Sequence, residues 1–239
     1  NSLVCQVLLD WGTDAQKSKF LNPLASGLKL GAYSLSEPQS GSDASNMKTF
    51  AEKNGNNFIV NGTKNWVTSG ENSDLIIFFC KTEKGAGSKG ISAFIIEKGT
   101  PGLTTGKKEE KLGIRASDTC ELYFDNCEIP ESNLIGNLGQ GFSIAMQALG
   151  GGRIGIASQS VGLARAALDK SISYAQEREQ FGKIIAKFGA IQNKIADMAT
   201  NIEAARLLVM QAAILKDQGK EYIKESSMAK LFASSTAMS

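Results

Sequence analysis

The chain has 239 residues, enough to bury a core in one or two domains, and its 42% apolar content is typical of a globular protein. The net charge of +2 comes from Lys, Arg, Asp and Glu scattered along the chain without a basic stripe, which argues against nucleic acid or an anionic membrane as main partners. There is no histidine and the four cysteines lack C-x-x-C spacing, which argues against imidazole-bound metals and histidine-dependent triads and predicts free thiols. No apolar run approaches the ~20 residues that span a bilayer.

Residues 1–30 are predicted to fold into short helices. VCQVLL is apolar, and TDAQKSKFL opens with Thr13 or Asp14 as a helix N-cap. The stretch has neither an initiating methionine nor a signal-peptide pattern. We therefore expect the remnant of an N-terminal helical domain, in a chain truncated at both ends, with the apolar face of Val4, Val7 and Leu8 left exposed.

Residues 31–136 have the pattern of a β domain. FIVNGTKNWV carries Asn-Gly between two β-prone runs, which predicts a hairpin turn. DLIIFFCKT, GISAFIIEK and CELYFDNCEI follow as short strands separated by Gly, Pro, Ser or Asn. Because no helical pattern separates these strands, and parallel strands need a crossover connection, we predict an antiparallel barrel or sandwich.

From residue 137 to 239 the apolar period becomes that of helices. Apolar residues recur at spacings of three and four along two long segments, which predicts amphipathic helices packed stripe to stripe. The second stripe suits an antiparallel bundle or a subunit interface, and a last helix is predicted over about residues 220–238. The two stripes consist of Ile154, Ala157, Val161, Ala164, Leu168 and Ile172, and of Ile191, Ile195, Met198, Ile202, Ala205, Val209 and Ala212.

Two polar stretches stand near predicted strand ends. YSLSEPQSGSD can cradle a phosphate or a polar heterocycle, or it can be a hydrogen-bonded turn. NGTKNWVTSG places Trp66 and Thr68 on one face of a strand, where they can flank a flat cofactor or belong to the core. From composition alone both alternatives stay open for each stretch.

Two further motifs lie in the helical part. LGGGRIGIA is predicted to open the first long helix, where Arg153 would oppose the helix macrodipole and so need an anionic or carbonyl partner. YAQEREQFGK is predicted at the end of that helix. There Arg178 and Phe181 can reach an anion and an aromatic group outside it, or the segment can be a solvated helix end with Gly182 as C-cap.

In chain order these stretches resemble the acyl-CoA dehydrogenase family over essentially the whole chain. The resemblance rests on GTDAQKSKFL, YSLSEPQSGSD, FIVNGTKNWVTSG, KGISAFII, KLGIRASDT, DNCEIPESNLIG, GQGF, GGGRIGIASQSVGLARAALD and YAQEREQFGK. KLGIRASDT and GRIGIASQ are most similar to the short-chain (butyryl-CoA) members. The resemblance implies an α+β multi-domain fold: a helical remnant over 1–30, an antiparallel β-barrel-like middle domain over 31–136, and an incomplete antiparallel helical bundle over 137–239, assembled as a homotetramer or homodimer.

The resemblance also implies a flavin site. FAD would lie extended between the β domain and the bundle, with Leu35 and Ser36 at the pyrimidine edge of the ring and the Thr68 hydroxyl near N5. Arg178 and Phe181 would meet the FAD of a partner subunit. The implied cofactor contacts are Tyr33, Leu35, Ser36, Gly41, Ser42, Trp66, Val67, Thr68, Arg178 and Phe181, and the implied substrate contacts are Ser42, Gly150, Gly151, Gly152 and Arg153.

The implied reaction is α,β-dehydrogenation of a short-chain acyl-CoA, with electrons passing from FAD to an electron-transferring flavoprotein. No catalytic residue is assigned, because the family's usual glutamate base lies in a segment beyond Ser239 and Gly152 stands where other members carry it. The chain alone is thus expected to be inactive. It also departs from the family at Gly150, often Asp, and at Gly189, often a FAD-binding Gln for which Gln192 is a possible substitute.

Two alternatives remain: a flavin oxidase on the same fold, and a non-catalytic scaffold that binds acyl-CoA or FAD. The expected location is the bacterial cytoplasm, or the mitochondrial matrix in a eukaryote.

Overall fold

The computed structural model describes all residues from Asn1 to Ser239, which group into two units, Asn1–Ala148 and Leu149–Ser239. The first unit begins with helices α1 (Ser2–Trp11), α2 (Asp14–Gln16) and α3 (Asn22–Ala25), with a π-helical turn at Lys17–Leu21. Thr13 is the N-cap of α2, and its hydroxyl accepts a hydrogen bond from the Gln16 N–H while the Gln16 side chain accepts one from the Thr13 N–H. This reciprocal pair satisfies two of the N–H groups that a helix start leaves unpaired.

The expectation of an exposed apolar face on the first helix is wrong. Val4, Val7 and Leu8 are at most 1% exposed and pack in one cluster with Leu24 and Phe79. They are buried because α1 and α3 cover one side of the β-sheet, which supplies the apolar partner that a half-buried helix needs.

The first unit is built on one mixed sheet of eight strands. They are β1 (Gly31–Ser34), β2 (Phe50–Asn54), β3 (Asn57–Thr68), β4 (Leu75–Lys81), β5 (Ile91–Glu97), β6 (Leu103–Thr105), β7 (Thr119–Pro130) and β8 (Leu134–Ile135). Seven follow the order β6-β7-β3-β2-β4-β5-β8, and β1 pairs with β4. The β1–β4 pairing and a single β2–β4 residue pair are parallel and the others antiparallel. The predicted β domain is confirmed, and the β2–β3 hairpin supplies the long connection that lets β1 and β4 run parallel without a helix.

The hairpin predicted at Asn61–Gly62 is wrong. Both residues lie inside β3, and the turn between β2 and β3 falls at Gly55, whose φ is +59°. Gly62 instead has φ +150° beside a register shift in the β3–β7 pairing, and a Cβ there would come within 2.7 Å of the Thr49 Cα. The glycine therefore serves a bulge and a close backbone approach rather than a turn.

Strands β4 and β5 are buried on both faces. Along β4, Ile77 and Phe79 join a cluster that includes α1, whereas Ile76 and Phe78 join a second cluster on the opposite face. Alternate residues of a strand point to opposite faces. A strand covered on both sides is therefore apolar throughout, as LIIFFC (residues 75–80) is.

The second unit consists of long helices. Helix α4 (Gly141–Glu177) has its first turns in the first unit, and β9 (Glu179–Gln180), β10 (Lys183–Ile184), α5 (Gly189–Asp217) and α6 (Ile223–Met238) follow. The predicted helices are confirmed: residues of both stripes, from Ile154 to Ile172 and from Ile195 to Val209, share two apolar clusters with α6. By length and composition alone α5 is also apolar enough to cross a membrane, but its apolar stripe packs on α4 and α6.

Candidate functional site

The loop after β1 is closed by a tight backbone turn. The Glu37 N–H donates to the Ser40 carbonyl at 2.9 Å, and the Ser40 N–H donates back to the Glu37 carbonyl at 3.0 Å. The Ser40 hydroxyl also donates to the Asp43 carbonyl at 2.7 Å. These bonds hold Gly41 and Ser42 on the surface, where both are exposed.

The residues before that turn face the interior to different degrees. Tyr33 packs its ring against Phe79 at 5.1 Å and donates its hydroxyl to the Ala145 carbonyl at 3.3 Å. Burial raises the pKa of Tyr33 well above its usual value, so its phenol stays protonated. Leu35 and Ser36 are half-buried. The Tyr33 side chain therefore belongs to the core, and the loop begins at Leu35.

Trp66 stands at a break in β3. The pairing of β3 with β7 shifts register between Lys64 and Val67, and Trp66 there adopts φ +58°. This left-handed conformation is an outlier for a bulky residue. Val67 is fully buried, whereas Trp66 is 59% exposed and Thr68 is exposed. The break thus presents an indole ring and a hydroxyl together on the surface.

A buried ion pair joins this strand to the loop. The Lys64 ammonium lies 2.8 Å from the Glu37 carboxylate and donates to the Leu35 carbonyl at 2.9 Å. Both side chains are at most 2% exposed. The carboxylate also accepts from the Lys48 N–H at 2.5 Å and from the Thr49 N–H at 3.1 Å. Charges so deeply buried require partners of this kind.

The electrostatics of the pair follow from burial and contact. Burial by itself would raise the pKa of Glu37, but Lys64 and the backbone N–H groups hold that pKa below its usual value. Burial lowers the pKa of Lys64, and the attraction of Glu37 opposes this shift. Glu37 is therefore ionised, and its carboxylate oxygens are already occupied by the Lys64 ammonium and the backbone N–H groups.

Asn65 adds a second link between strand and loop. Its N–H donates to the Ser36 carbonyl at 2.9 Å. The side-chain oxygen of Asn65 and the hydroxyl of Ser34 are buried without a hydrogen-bond partner. Unpaired buried polar atoms are rare in folded proteins, so these two mark a place where a ligand or a water can complete the hydrogen bonding.

Asp118 holds the turn that follows Thr68. Its carboxylate accepts from the Glu71 N–H at 2.9 Å and from the Asn72 side-chain amide at 2.8 Å. The Ser69 N–H donates to the Asp118 carbonyl at 2.8 Å. Burial alone would raise the pKa of Asp118, but these hydrogen bonds hold it below its usual range. Asp118, which belongs to the KLGIRASDT segment, thus holds the turn at residues 69–72 in place.

The glycine-rich stretch of the second unit is not at a helix start. Helix α4 begins at Gly141, so Arg153 lies more than three turns inside it and the macrodipole argument for a partner of Arg153 is wrong. A Cβ at Gly150 would lie 2.7 Å from the Ile223 Cδ1, and one at Gly151 would lie 3.3 Å from the Lys216 Nζ. The glycines therefore allow side chains of the α5–α6 region to approach α4. Arg153 is half-buried.

Phe181 lies at the tip of a small hairpin. Strands β9 and β10 pair antiparallel, and Phe181 and Gly182 form the turn with φ +51° and +72°. Two successive positive φ angles define a type I′ turn, so Gly182 is a turn residue and the C-cap alternative for it is wrong. Phe181 is 93% exposed and meets the Phe188 ring edge-on at 6.1 Å. Arg178, just before the hairpin, is exposed.

The start of α5 accounts for Gln192. Gly189 is the first residue of that helix, with open space where a Cβ would stand. The Gln192 amide donates to the Ala186 carbonyl at 3.0 Å, within the same connection.

Sequence reasoning placed the exposed loop and Trp66 in one site but missed what joins them. Lys64 and Asn65 lie within NGTKNWVTSG, and no rule of spacing shows that their bonds reach residues 35–37. One signal was available: Lys64 stands within the predicted strand, and a lysine that is buried there needs a partner for its charge.

Two family models match the chain: acyl-CoA dehydrogenase, middle domain, over residues 32–127, and acyl-CoA dehydrogenase, C-terminal domain, over residues 139–239. The chain belongs to the acyl-CoA dehydrogenase family. It is 49% identical over 237 residues to the mitochondrial short-chain specific acyl-CoA dehydrogenase of Rattus norvegicus, covering 99% of this chain and 58% of that protein.

Solved structures agree with this assignment. Butyryl-CoA dehydrogenase from Megasphaera elsdenii matches with a TM-score of 0.96 and 48% identity, over 99% of this chain and 62% of that one. A chain from a structure described as the electron transferring flavoprotein of Acidaminococcus fermentans matches with a TM-score of 0.95 and 50% identity, over 98% and 62%. The chain thus spans about three fifths of the length of these relatives.

Proposed function

We propose that the protein containing this chain is a FAD-dependent dehydrogenase of short-chain acyl-CoA thioesters. The observation that carries the proposal is the exposed Trp66, held at a strand break and tied to the polar loop 35–43, in a chain 48–49% identical to short-chain and butyryl-CoA enzymes. A rigid aromatic beside hydroxyls and backbone donors suits a flat heterocycle with a polar edge.

The residues of this site fit such a ring. The hydroxyl of Ser34 and the side-chain oxygen of Asn65 are buried and unpaired; Ser34 directly precedes the loop, and the Asn65 N–H donates to the Ser36 carbonyl within it. Trp66 and Thr68, which follow Asn65 on β3, are exposed. In this proposal Trp66 forms a wall against the ring, Thr68 and Ser36 bond its edge, and the loop excludes water. Bound FAD would supply the acceptor for the hydride that leaves the substrate β-carbon.

We place the substrate contacts along α4. The stretch Gly150 to Arg153 is free of bulky side chains up to the guanidinium of Arg153, which offers a positive charge in a half-buried setting. A cation there can stabilise negative charge that develops on a thioester oxygen, or an anionic group of CoA.

We propose that the carboxylate base that takes the α-proton is not among residues 1–239. Removing such a weakly acidic proton requires a positioned base. Glu37 is buried against Lys64, Asp43 is exposed with its carboxylate accepting from the Ser45 hydroxyl at 2.8 Å, and Gly152 has no side chain. We therefore expect residues 1–239 alone to show no turnover of butyryl-CoA.

Assembly and electron transfer complete the proposal. The helices of the second unit expose apolar side chains that a second copy of the protein can cover, and we propose a homotetramer or homodimer, in which Arg178 and Phe181 reach a partner's FAD. Electrons would pass to an electron-transferring flavoprotein, in the bacterial cytoplasm or the mitochondrial matrix. The exposed side chains are Ile156, Leu163, Leu207, Met210, Ile214 and Leu231.

Flavin content tests the cofactor. The full-length protein is purified with Trp66 and Ser36 both replaced by Ala, and FAD per chain is measured from its visible absorbance. We expect less FAD than in the wild type. Tyr174→Ala is the matched control, because Tyr174 is an equally exposed aromatic (59%) on α4, away from the loop in sequence. Unchanged FAD stoichiometry in the double variant would exclude the assignment of this site.

Reduction by substrate tests the reaction. Adding butyryl-CoA to the full-length flavoprotein should bleach its flavin, and dye reduction should follow with little peroxide. Rapid peroxide formation in air would favour the oxidase alternative. Stable FAD that never bleaches with acyl-CoA of any length would favour the non-catalytic scaffold.

A further inference from the structure

The buried ion pair of Lys64 and Glu37 joins β3 to the loop after β1, two segments whose paired residues are 27 positions apart in the sequence. The Lys64 side chain is fully buried, and its ammonium is divided between the Glu37 carboxylate at 2.8 Å and the Leu35 carbonyl at 2.9 Å. The third atom near it is the sulfur of Met47 at 3.9 Å. One side chain from β3 thus bonds the loop at two points, immediately before the turn at Glu37–Ser40.

Lys64 lies next to the strand break that carries Trp66. It is the last residue paired with β7 before the register shift, and Trp66 follows two residues later in its left-handed conformation. A conformation of that kind persists only where the surroundings hold it in place. The Asn65 N–H, bonded to the Ser36 carbonyl, lies between them.

Burial of an ion pair is a poor way to gain stability. Desolvation offsets much of the attraction, and apolar residues of similar volume often serve the core as well. The surroundings of Lys64 include the apolar Met47 and the buried Cys80, so a methionine could fill the volume of the lysine stem. What a methionine could not do is hold the Leu35 carbonyl and the Glu37 carboxylate in a fixed place.

We propose that Lys64 and Glu37 are positioning residues that set loop 35–43 relative to Trp66 and so determine how tightly and in what environment the flavin is held. This inference rests on the proposed function. The pair acts through the residues it places and does not itself touch the reacting atoms.

The test uses the full-length protein and the double variant Lys64→Met/Glu37→Gln. Removing both charges avoids the uncompensated buried charge that either single change would leave. We expect the double variant to fold, and its apoprotein to bind FAD about tenfold more weakly or worse, because the loop is no longer preorganised. The visible spectrum of the flavin that remains bound should shift, since the polar edge of its site has moved.

The matched control is an exposed ion pair of the same unit. Lys53 and Glu131 lie 2.8 Å apart with side chains 52% and 45% exposed. Lys53→Met/Glu131→Gln makes the same chemical change away from the loop and should leave FAD affinity and the flavin spectrum unchanged.

A second readout does not need FAD. The chain has two tryptophans, so Trp11→Phe leaves Trp66 as the single reporter. In that background the double variant should change the acrylamide quenching and emission maximum of Trp66 in the apoprotein. FAD affinity within twofold of the wild type, or unchanged Trp66 quenching, would overturn the proposal. A wild-type protein that binds no FAD would instead overturn the proposed function, and Trp66 quenching would still decide the positioning role.

Discussion

Replacing Phe78 tests whether the core beneath the site is the cluster the structure shows. Phe78 is fully buried in β4, with the Phe124 ring at 4.8 Å and the Phe94 ring at 5.8 Å. A buried phenylalanine removes about 150 Å² or more from water, which at about 25 cal/mol per Å² corresponds to about 4 kcal/mol. Phe78→Ala should therefore reduce the free energy of unfolding by about 3–5 kcal/mol, a large fraction of the stability of a typical domain.

The assay is urea unfolding followed by tryptophan fluorescence. Both tryptophans, Trp11 and Trp66, lie in the unit Asn1–Ala148, so their fluorescence reports the part that contains Phe78 and is blind to the helices of the second unit. In thermal unfolding the same change should lower Tm by about 6–20 °C. Phe78→Leu, which keeps most of the volume, should cost about 1.5 kcal/mol or less and keeps the series measurable if the alanine variant unfolds.

Leu112→Ala is the control, because the Leu112 side chain is fully exposed. Its loss should stay within about 0.5 kcal/mol. If Phe78→Ala costs less than about 1 kcal/mol, indistinguishable from a surface change, the ring does not occupy the core described and the reasoning is refuted.

Two further predictions concern stability. Gly62→Ala should destabilise the first unit, because its φ of +150° is strained for an L-residue and the new Cβ would meet Thr49. Gly155→Ala, in α4 with open space around it, should be neutral or stabilising; equal effects in urea unfolding followed by far-UV circular dichroism, which reports both units, would contradict this. The lowered pKa of Glu37 means that the unfolded chain binds a proton more readily than the folded one. The stabilisation is therefore present above pH ~4.5 and is lost as pH falls through the folded-state pKa. Lys64→Met/Glu37→Gln should show a shallower loss of stability on acidification than the wild type, and parallel curves would count against this.

Much of the architecture could be predicted from local pattern. The apolar stripe from Ile154 to Ile172 has a helical period, and the structure places it in the helical core. The apolar runs of β4 and β5 predicted strands, and the structure confirms the strands and buries both of their faces. These signals are local, because a helix or strand must repeat its apolar residues at its own period to bury one face. The polar stretch YSLSEPQSGSD was likewise recognisable near a strand end, whereas the sequence left open whether Trp66 is exposed or belongs to the core.

Other features depend on which segments meet. Asn61–Gly62 has the residues of a hairpin turn, yet it forms a bulge within β3. A glycine is needed there because Thr49 leaves no room for a side chain, and the turn lies at Gly55 instead. Arg153 was placed at a helix start, because three glycines read as a break. In the structure α4 continues through these glycines, and the absence of a side chain at Gly150 leaves room for Ile223 of α6.

The junction of the candidate site belongs wholly to tertiary structure. The sequence by itself determined that two polar stretches, one of them carrying Trp66, lie near strand ends in a β domain of the acyl-CoA dehydrogenase family. Only the folded chain brings the Lys64 ammonium to Glu37, 27 residues earlier, and to the Leu35 carbonyl. A charge can be buried only where distant groups converge to replace water, and that convergence is a property of the sheet register rather than of any short stretch of sequence.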